Sequence, residues 1–533
     1  MNAKVVRSRV IFFLPLFFLF LPVHDLNGQY LDPRKAKEFF KNKNYLKAMD
    51  IYKKLVEKEP NKPKYYKKAG ICYLRTFKDR NSAAKYLEKA LEKEGHDKDV
   101  WYYLGKAYMM KGEFQKAMKN FTKYQANKGL MGGEDDVAHL QAQCKTGKEL
   151  KKHPLNVTFE NLGAGINSQF PDYYPFVAKD ESRLVFTSRR RRNKGSGKEF
   201  DGYYASDIWV LEQKEDGKGW GEAENAGRKV NSEYDEQAVG LSDDGNQMYV
   251  YIDHVKKRGD IYRSRWGHIS FGRLEELGST VNSEELETAG SISSDRKTLF
   301  FASERDGGEG GIDLWMTRKL PTGEWAKPQN LGDKINTKYD EGFPTLSYDN
   351  ETLYFCSKGH QSMGGFDIFK AEWDREANTW SQPRNLGYPI NDGTDNRTIS
   401  FTQDGRHAYL STFGKGGKGS LDLYKVTFNE VANRPVIFKV RIPSVQDTAK
   451  EYLTQPRVTV FDKNFEVYGR YSANPNTGSY TLALPPGQYT MEIQSEQYPL
   501  YEEKMKVTEA DQEKGVVKKQ VELSKASKKD QGK

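Results

Sequence analysis

The chain has 533 residues, which is too long for one hydrophobic core and indicates about three or four domains. Its net charge of +10 is mild for this length and its basic residues are dispersed, so the composition does not favour a nucleic-acid-binding protein. The three cysteines, Cys72, Cys144 and Cys356, lie in different regions without metal-ligand spacing, which indicates neither a disulfide framework nor a zinc site.

Residues 1–28 are predicted to be a secretory signal peptide. A basic start precedes an apolar run from Val10 to Val23, and these 14 residues are fewer than the roughly 20 that a membrane-spanning helix needs. No cysteine follows this run, so the sequence does not favour a lipoprotein signal. We therefore expect an exported, periplasmic protein that is associated with the outer membrane only through partners.

Residues 29–131 repeat a helical pattern with a period of about 34 residues. The clearest unit is Trp101-x-x-Leu104-Gly105-x-x-Tyr108. This spacing resembles the tetratricopeptide repeat, which implies three helical hairpins with a concave face for a peptide or a partner helix. Residues 132–155 are predicted to form a linker and a helix that caps the last repeat.

Five copies of one strand pattern fill residues 156–430. The third strand of each copy begins at Asp207, Asp260, Asp313, Asp367 or Asp422, so the copies recur every 53 to 55 residues. A fourth strand follows four of these copies, whereas an orphan strand, Val157–Gly163, precedes the first copy. The sequence therefore predicts a five-bladed β-propeller whose last blade is completed by the orphan strand.

The repeated units resemble the TolB-like repeats of bacterial envelope propellers. The resemblance rests on the first-strand segment from Glu341 to Asp349 and on the Asp-Ile-Trp-like third strands. It implies the propeller fold and leaves the activity open, because one fold supports many functions.

Two groups of residues in the repeats are candidate partner-binding sites. An acidic residue occupies one shared first-strand position in four copies, namely Asp172, Glu236, Glu287 and Glu341, and Asn396 replaces it in the fifth. First strands line the channel of a propeller, so a ring of carboxylates would bind a cation or a basic peptide. The alternative is that each acid belongs to the hydrogen bonding of its own repeat.

The second candidate group is a run of arginines in the first copy. Arg189, Arg190, Arg191 and Arg192 lie in a loop about ten residues longer than its counterparts. Long loops often carry binding residues, so this run is a candidate for an anionic partner, with a solvated loop as the alternative.

Residues 434–508 are predicted to form a small β-sandwich, because short strands and turn signals alternate closely. Their Gly-x-Tyr and Pro-Gly-x-Tyr pattern resembles the carboxypeptidase regulatory-like domain, which is not catalytic. Residues 509–533 are predicted to be a charged, disordered tail. No G-x-S-x-G, H-E-x-x-H or P-loop pattern occurs, so the sequence predicts neither an enzyme nor a cofactor.

This domain order resembles the multidomain envelope proteins of Bacteroidetes, including PorE-type accessory proteins of the type IX secretion system. That type continues into an OmpA-like, peptidoglycan-binding domain, for which we find no segment in this sequence. The resemblance implies a non-enzymatic scaffold that binds envelope proteins, in or alongside the secretion and gliding machinery. Two alternatives remain, a propeller enzyme acting on glycans or peptides and a peptide-binding sensor that uses the tetratricopeptide groove.

Overall fold

A computed structural model describes residues 31–523 apart from short gaps. The gaps are residues 77, 128–135, 192, 194–196, 215–218, 254–257, 415, 419–420, 430–435, 443–455, 474–478, 486, 496–497, 509–510 and 512–515. The predicted signal peptide lies outside the described residues. No described helix is long and apolar enough to cross a bilayer.

Seven helices occupy the described part of residues 33–150. They are α1 (Pro33–Lys41), α2 (Tyr45–Lys58), α3 (Pro63–Leu74), α4 (Arg80–Leu91), α5 (Val100–Met110), α6 (Phe114–Ala126) and α7 (Val137–Leu150). The first six pack as three consecutive antiparallel hairpins, and α7 packs on α6.

Glycine allows the helices of this array to approach closely. A Cβ at Gly70 would lie 2.6 Å from Leu87 Cγ, and one at Gly105 would lie 2.5 Å from Phe121 Cε1. The same contact recurs at Gly147, where a Cβ would lie 2.4 Å from Phe114 Cζ. Helix α7 therefore continues the packing of the repeats and packs on the last of them.

Five antiparallel sheets follow within the described residues. The first four contain β2–β5 (Asp172–Val177, Arg183–Ser188, Asp207–Glu212, Glu224–Asn225), β6–β9 (Glu236–Leu241, Gln247–Ile252, Asp260–Arg265, Glu275–Glu276), β10–β13 (Glu287–Ile292, Thr298–Ser303, Asp313–Arg318, Gln329–Asn330) and β14–β18 (Glu341–Leu346, Thr352–Ser357, Asp367–Asp374, Thr379–Trp380, Arg384–Asn385). The fifth contains β19 (Ile399–Phe401), β20 (His407–Thr412), β21 (Asp422–Phe428) and β1 (Val157–Asn161).

The fifth sheet is assembled from both ends of this region. Strand β1 pairs antiparallel with β21, with Val157 opposite Phe428 and Asn161 opposite Tyr424. This is the strand exchange that the sequence predicts. It covers an edge of β21 that would otherwise be free to pair with another chain.

The first strands of the sheets pack on one another in sequence order. Strand β2 packs on β6, β6 on β10, and β10 on β14. The Tyr354 ring of the fourth sheet contacts Phe401 of the fifth, and β19 and β20 pack back on β2. The contacts therefore run through all five described sheets and return to the first.

Two residue types, an aspartate and an asparagine, recur at fixed positions in the hydrogen bonding of all five sheets. Five aspartates close the first hairpins, because their Oδ1 atoms accept the amide two residues later at 2.8–3.1 Å. These are Asp180, Asp244, Asp295, Asp349 and Asp404. Five asparagines bind both backbone groups of one third-strand residue at 2.8–3.1 Å. These are Asn167, Asn231, Asn282, Asn336 and Asn391, and each fastens the start of one unit to the sheet before it.

A two-sheet sandwich forms the C-terminal part of the described chain. One sheet has the order β25 (Ser479–Leu484), β22 (Val436–Arg441), β28 (Val516–Gln520). The other has the order β24 (Val467–Tyr471), β23 (Arg457–Phe461), β26 (Gly487–Gln494), β27 (Tyr501–Val507). Strand β28 pairs parallel with β22, so the sandwich extends into the segment that the sequence assigns to a disordered tail.

Candidate functional site

The four acidic residues of the first strands are buried in their own sheets. Asp172, Glu236, Glu287 and Glu341 each begin a first strand, and none of their side chains is exposed to solvent. Each accepts a hydrogen bond from the residue four positions earlier. The bonds include Ser168 N to Asp172 (2.6 Å), Ser283 N to Glu287 (2.8 Å), Thr337 N to Glu341 (2.8 Å) and the Ser232 hydroxyl to Glu236.

This geometry makes the carboxylates part of the loop that enters each sheet. Asn396, the exception in the fifth copy, accepts the Asp392 amide at 2.8 Å through its Oδ1 and so replaces a carboxylate without changing the contact. No group of three or more potential metal ligands occurs among the described residues. Of the two sequence hypotheses for these acids, the geometry favours the structural one.

Two of the acids are neutralised by arginine. Arg190 Nη2 donates to Asp172 Oδ1 at 2.7 Å, and Arg305 Nη2 donates to Glu287 Oε1 at 3.1 Å. Each arginine follows the last residue of its second strand by two positions. The fourth sheet has Gly359 at this position, so Glu341 has no arginine partner there.

Burial changes the acidity of the two acids without arginine. It raises the pKa of Glu341 to about 8 and that of Glu236 to about 7, because the ionised form loses hydration. Ser357, Thr337 and the Thr337 amide donate hydrogen bonds to Glu341 and oppose this shift. Glu236 Oε2 is buried and has no hydrogen-bond partner among the described residues. Both carboxyls are thus held in sites that favour the protonated form.

The arginine run is divided between internal pairs and solvent. Arg189 pairs with Asp201 at 2.5 Å and donates to the Tyr204 carbonyl oxygen at 2.7 Å, which holds the long loop of the first sheet in place. Arg190 is bound to Asp172 as described above, so neither side chain is available to an anionic partner. Arg191 is exposed, and Arg192 lies outside the described residues.

The helical array packs directly on loops of the sheet region. Met363, in the loop before β16, is fully buried in the hydrophobic core of the helices. Gln143 of α7 donates to Ser362 Oγ at 2.9 Å, and His139 Nε2 donates to the Lys358 carbonyl oxygen at 3.0 Å. The His139 ring also stacks on Tyr339 with ring centroids 4.3 Å apart.

A cavity of about 560 Å³ remains at this junction. Its lining contains five basic residues, Arg75, Lys106, Lys338, Lys358 and Arg397, and three acidic ones, Asp136, Asp340 and Asp395. The acids have local partners: Asp340 binds Lys358 (2.5 Å), Asp395 binds Arg397 (3.1 Å) and Asp136 caps α7 by accepting the Ala138 amide (2.9 Å). The lining is therefore net positive, and its volume is that of a typical ligand or short-peptide site.

The helical side of this cavity comes from the ends of the hairpins. Met109 and Met110 lie at the end of α5, and Arg75 follows the end of α3. Met110 is partly exposed, whereas Met109 is buried in the core of the helices. An unbranched, polarizable methionine such as Met110 adapts to differently shaped partners, which suits a binding surface. Sequence reasoning missed this site because its two halves, which end at Gln143 and begin again at Lys338, lie far apart in the chain. The glycines of the sheet loops were the one local signal.

The described helices agree with the match to a family model. A tetratricopeptide repeat model matches residues 74–144. No curated protein matches the sequence.

Several solved structures are distantly similar to the chain. A glycoside hydrolase is 9% identical, with 54% of this chain and 95% of that chain covered and a TM-score of 0.36. TolB from Acinetobacter baumannii is 13% identical, with 60% and 62% covered and a TM-score of 0.28. A putative TolB from Agrobacterium tumefaciens is 16% identical, with 52% and 98% covered and a TM-score of 0.27. The chain therefore contains a tetratricopeptide repeat within residues 74–144, from the end of α3 into α7.

Proposed function

We propose that this protein is an exported, non-enzymatic scaffold that binds other proteins of the bacterial envelope. In this proposal the five sheets are the blades of a TolB-like propeller, and the sandwich is a regulatory-like domain. The protein acts in or alongside the type IX secretion and gliding machinery, and it reaches the outer membrane through its partners.

The junction cavity is the observation that carries the proposal. It is bounded by the tetratricopeptide helices on one side and by the sheet loops on the other, so both units contact whatever occupies it. Tetratricopeptide repeats are protein-binding modules, and a net positive lining with the partly exposed Met110 fits a peptide segment that carries carboxylates.

The buried acids support a non-enzymatic role. A glycosidase needs two carboxylates that flank a bond in one open site. Here Asp172, Glu236, Glu287 and Glu341 are all fully buried, and their hydrogen bonds serve the loops of their own sheets. Enzymatic action on glycans or peptides through these residues is therefore disfavoured.

A site-specific cross-linking experiment tests the scaffold proposal. A photoreactive amino acid replaces Met110, which lines the cavity, in the tagged full-length chain expressed in its own envelope. The same residue at Lys119, exposed on α6, is the matched control. We expect envelope proteins that cross-link only from position 110, and that are lost when Lys106→Glu reverses one charge of the lining.

Two results would overturn the proposal. Identical cross-linked proteins from positions 110 and 119 would show that the cavity has no specific partner. Turnover of glycans or peptides by the purified chain, abolished by Glu236→Gln or Glu341→Gln, would make it an enzyme. Normal secretion and gliding after deletion of the gene would remove the assignment to that machinery alone.

A further inference from the structure

The sandwich carries an exposed aromatic residue in an unusual backbone conformation. Phe465, at the tip of the hairpin between β23 and β24, is 66% exposed and has a φ of 62°. A bulky side chain in the left-handed region is strained, and such strain persists only where the surrounding structure enforces it.

The hairpin holds Phe465 in this position by hydrogen bonds. Asp462 Oδ1 accepts the amides of Asn464 (2.8 Å) and Glu466 (2.9 Å), and the Phe465 amide donates to the Asp462 carbonyl oxygen (3.1 Å). The ring is thus presented to solvent by a rigid turn, which lowers the entropy lost when a partner covers it.

A groove of about 250 Å³ lies beside the hairpin. Its lining includes Phe465, Gln488 and Thr490 of β26, and Lys504 and Lys506 of β27, whereas the side chains of Tyr489 and Met505 belong to the core on the opposite face of this sheet. A solvent-exposed aromatic ring beside a groove is suited to act as a binding anchor.

The rim of the groove is basic. Lys463, Lys504 and Lys506 are exposed, and none of them pairs with a carboxylate among the described residues. Asp462, the acidic residue that lines the groove, is occupied by the amides of its own turn. An exposed Phe465 ring beside unpaired ammonium groups is complementary to an apolar anchor flanked by carboxylates.

We propose that this groove, formed by Phe465, Thr490 and the three rim lysines, is a second protein-docking surface. It takes an acidic segment of a partner protein that carries an apolar anchor. The surface is separate in the chain from the junction cavity, so the scaffold joins one protein at each place. Binding at this groove can be tested independently of whatever occupies the junction cavity.

Fluorescence anisotropy with the full chain tests this inference. The probe is a fluorescein-labelled peptide of alternating glutamate and phenylalanine. Two comparison peptides replace glutamate with lysine or phenylalanine with serine. We expect the first peptide to bind and both comparison peptides to bind at least about tenfold more weakly.

Three variants assign the binding to the groove. Phe465→Asn removes the ring but keeps a residue that tolerates positive φ, so the turn should survive and affinity should fall about tenfold or more. Lys504→Glu should weaken binding as well, and more so at low salt. Lys518→Glu, an exposed lysine on the other sheet, is the matched control and should leave binding unchanged.

Each contrary outcome refutes the inference. Equal loss with Lys504→Glu and Lys518→Glu would indicate unspecific charge attraction. Unchanged affinity with Phe465→Asn, whose fold is checked by circular dichroism, would exclude the groove. Binding to phosphatidylglycerol vesicles in the absence of peptide binding would make this face a membrane contact.

Discussion

Substitution of the buried Glu341 by glutamine should change how the stability of the sheet region depends on pH. Glu341 is fully buried and its pKa is raised to about 8, against an ordinary value of 4.5. Between these values the folded chain holds a proton that the unfolded chain has released. The free energy of unfolding therefore falls as pH rises from about 4.5 to 8. Below about pH 4.5 the raised pKa of Glu341 contributes fully to the free energy of unfolding. Above about pH 8 this contribution is lost, and the folded state contains an ionised, buried carboxylate.

The pKa shift sets the size of this effect. One pKa unit corresponds to about 1.4 kcal/mol, so the shift of Glu341 is worth roughly 5 kcal/mol across the window. Glutamine remains neutral at every pH and has the shape of the protonated acid. Its oxygen can accept the Thr337 amide, and its NH₂ group can donate to the hydroxyls of Thr337 and Ser357 that now donate to Glu341. E341Q should thus match the parent near pH 5 and exceed its stability at pH 9.

Tryptophan fluorescence in urea gives a suitable assay. Seven of the eight tryptophans lie between residues 209 and 380, so the signal reports the sheet region and largely ignores the helices and the sandwich. The free energy of unfolding is measured for both proteins from pH 5 to pH 9. E341Q should make the fall of the free energy of unfolding with pH less steep by about 1.4 kcal/mol per pH unit. Glu236 is unchanged in this variant and contributes a similar slope up to its pKa of about 7.

A matched variant separates this effect from general loss of charge. Glu324 is exposed in a turn, so Glu324→Gln should shift stability by less than about 0.5 kcal/mol at every pH. A constant difference between E341Q and the parent from pH 5 to pH 9 would refute the reasoning. It would show that Glu341 is ionised in the folded chain throughout this range.

Three further substitutions test the contacts that build the sheets and the array. Arg305→Met should lower the free energy of unfolding, measured in urea, by about 3 kcal/mol, because it leaves Glu287 buried without its guanidinium partner. Adding Glu287→Gln should recover part of this loss. Asn336→Ala should cost about 2–3 kcal/mol in the same assay, since it leaves a buried backbone amide and carbonyl unpaired; a loss below about 0.5 kcal/mol would contradict the clamp. Gly147→Ala forces a Cβ against the Phe114 ring and should lower helix stability by about 1–3 kcal/mol in thermal circular dichroism, whereas an unchanged melting temperature would show that α7 can shift freely.

The repeats could be predicted because their key contacts are local. An aspartate that accepts the amide two residues later and an asparagine at a fixed offset leave their mark in every copy of the sequence. The exchange of β1 into the fifth sheet was also predictable, because an orphan strand at one end matched a missing one at the other. The sequence also predicts a fourth strand after four of the copies, and in the first sheet the two residues Glu224–Asn225 pair with the third strand.

The role of the acids required the structure. The shared position of the four acids in the repeats predicted a ring of carboxylates. The role of each carboxylate is decided by its burial and its hydrogen-bond partners, which the shared position does not show. The two guanidinium partners were readable in principle, because Arg190 and Arg305 follow Ser188 and Ser303 at the same offset. The neighbouring arginines obscured this spacing, because the run of four arginines suggested a loop that binds an anionic partner.

Contacts between residues far apart in the sequence account for the remaining differences between the predictions and the structure. Strand Val516–Gln520 has two apolar residues followed by two lysines, which resembles a solvated tail. It becomes a strand by pairing with Val436–Arg441, about 80 residues earlier. The junction cavity likewise depends on how the array and the sheet loops meet, and no local pattern in either part specifies that contact.

The exchanged strand has a mechanical consequence. The helical array enters β1 at Val157 and the chain leaves β21 towards the sandwich after Phe428, and these two residues are opposite one another in the pair. Tension between the array and the sandwich would pull on one end of the pair, so its hydrogen bonds would open one after another and would not share the load. Stretching the chain between the helical array and the sandwich would therefore unzip the fifth sheet at low force, once the contacts between array and loops had separated.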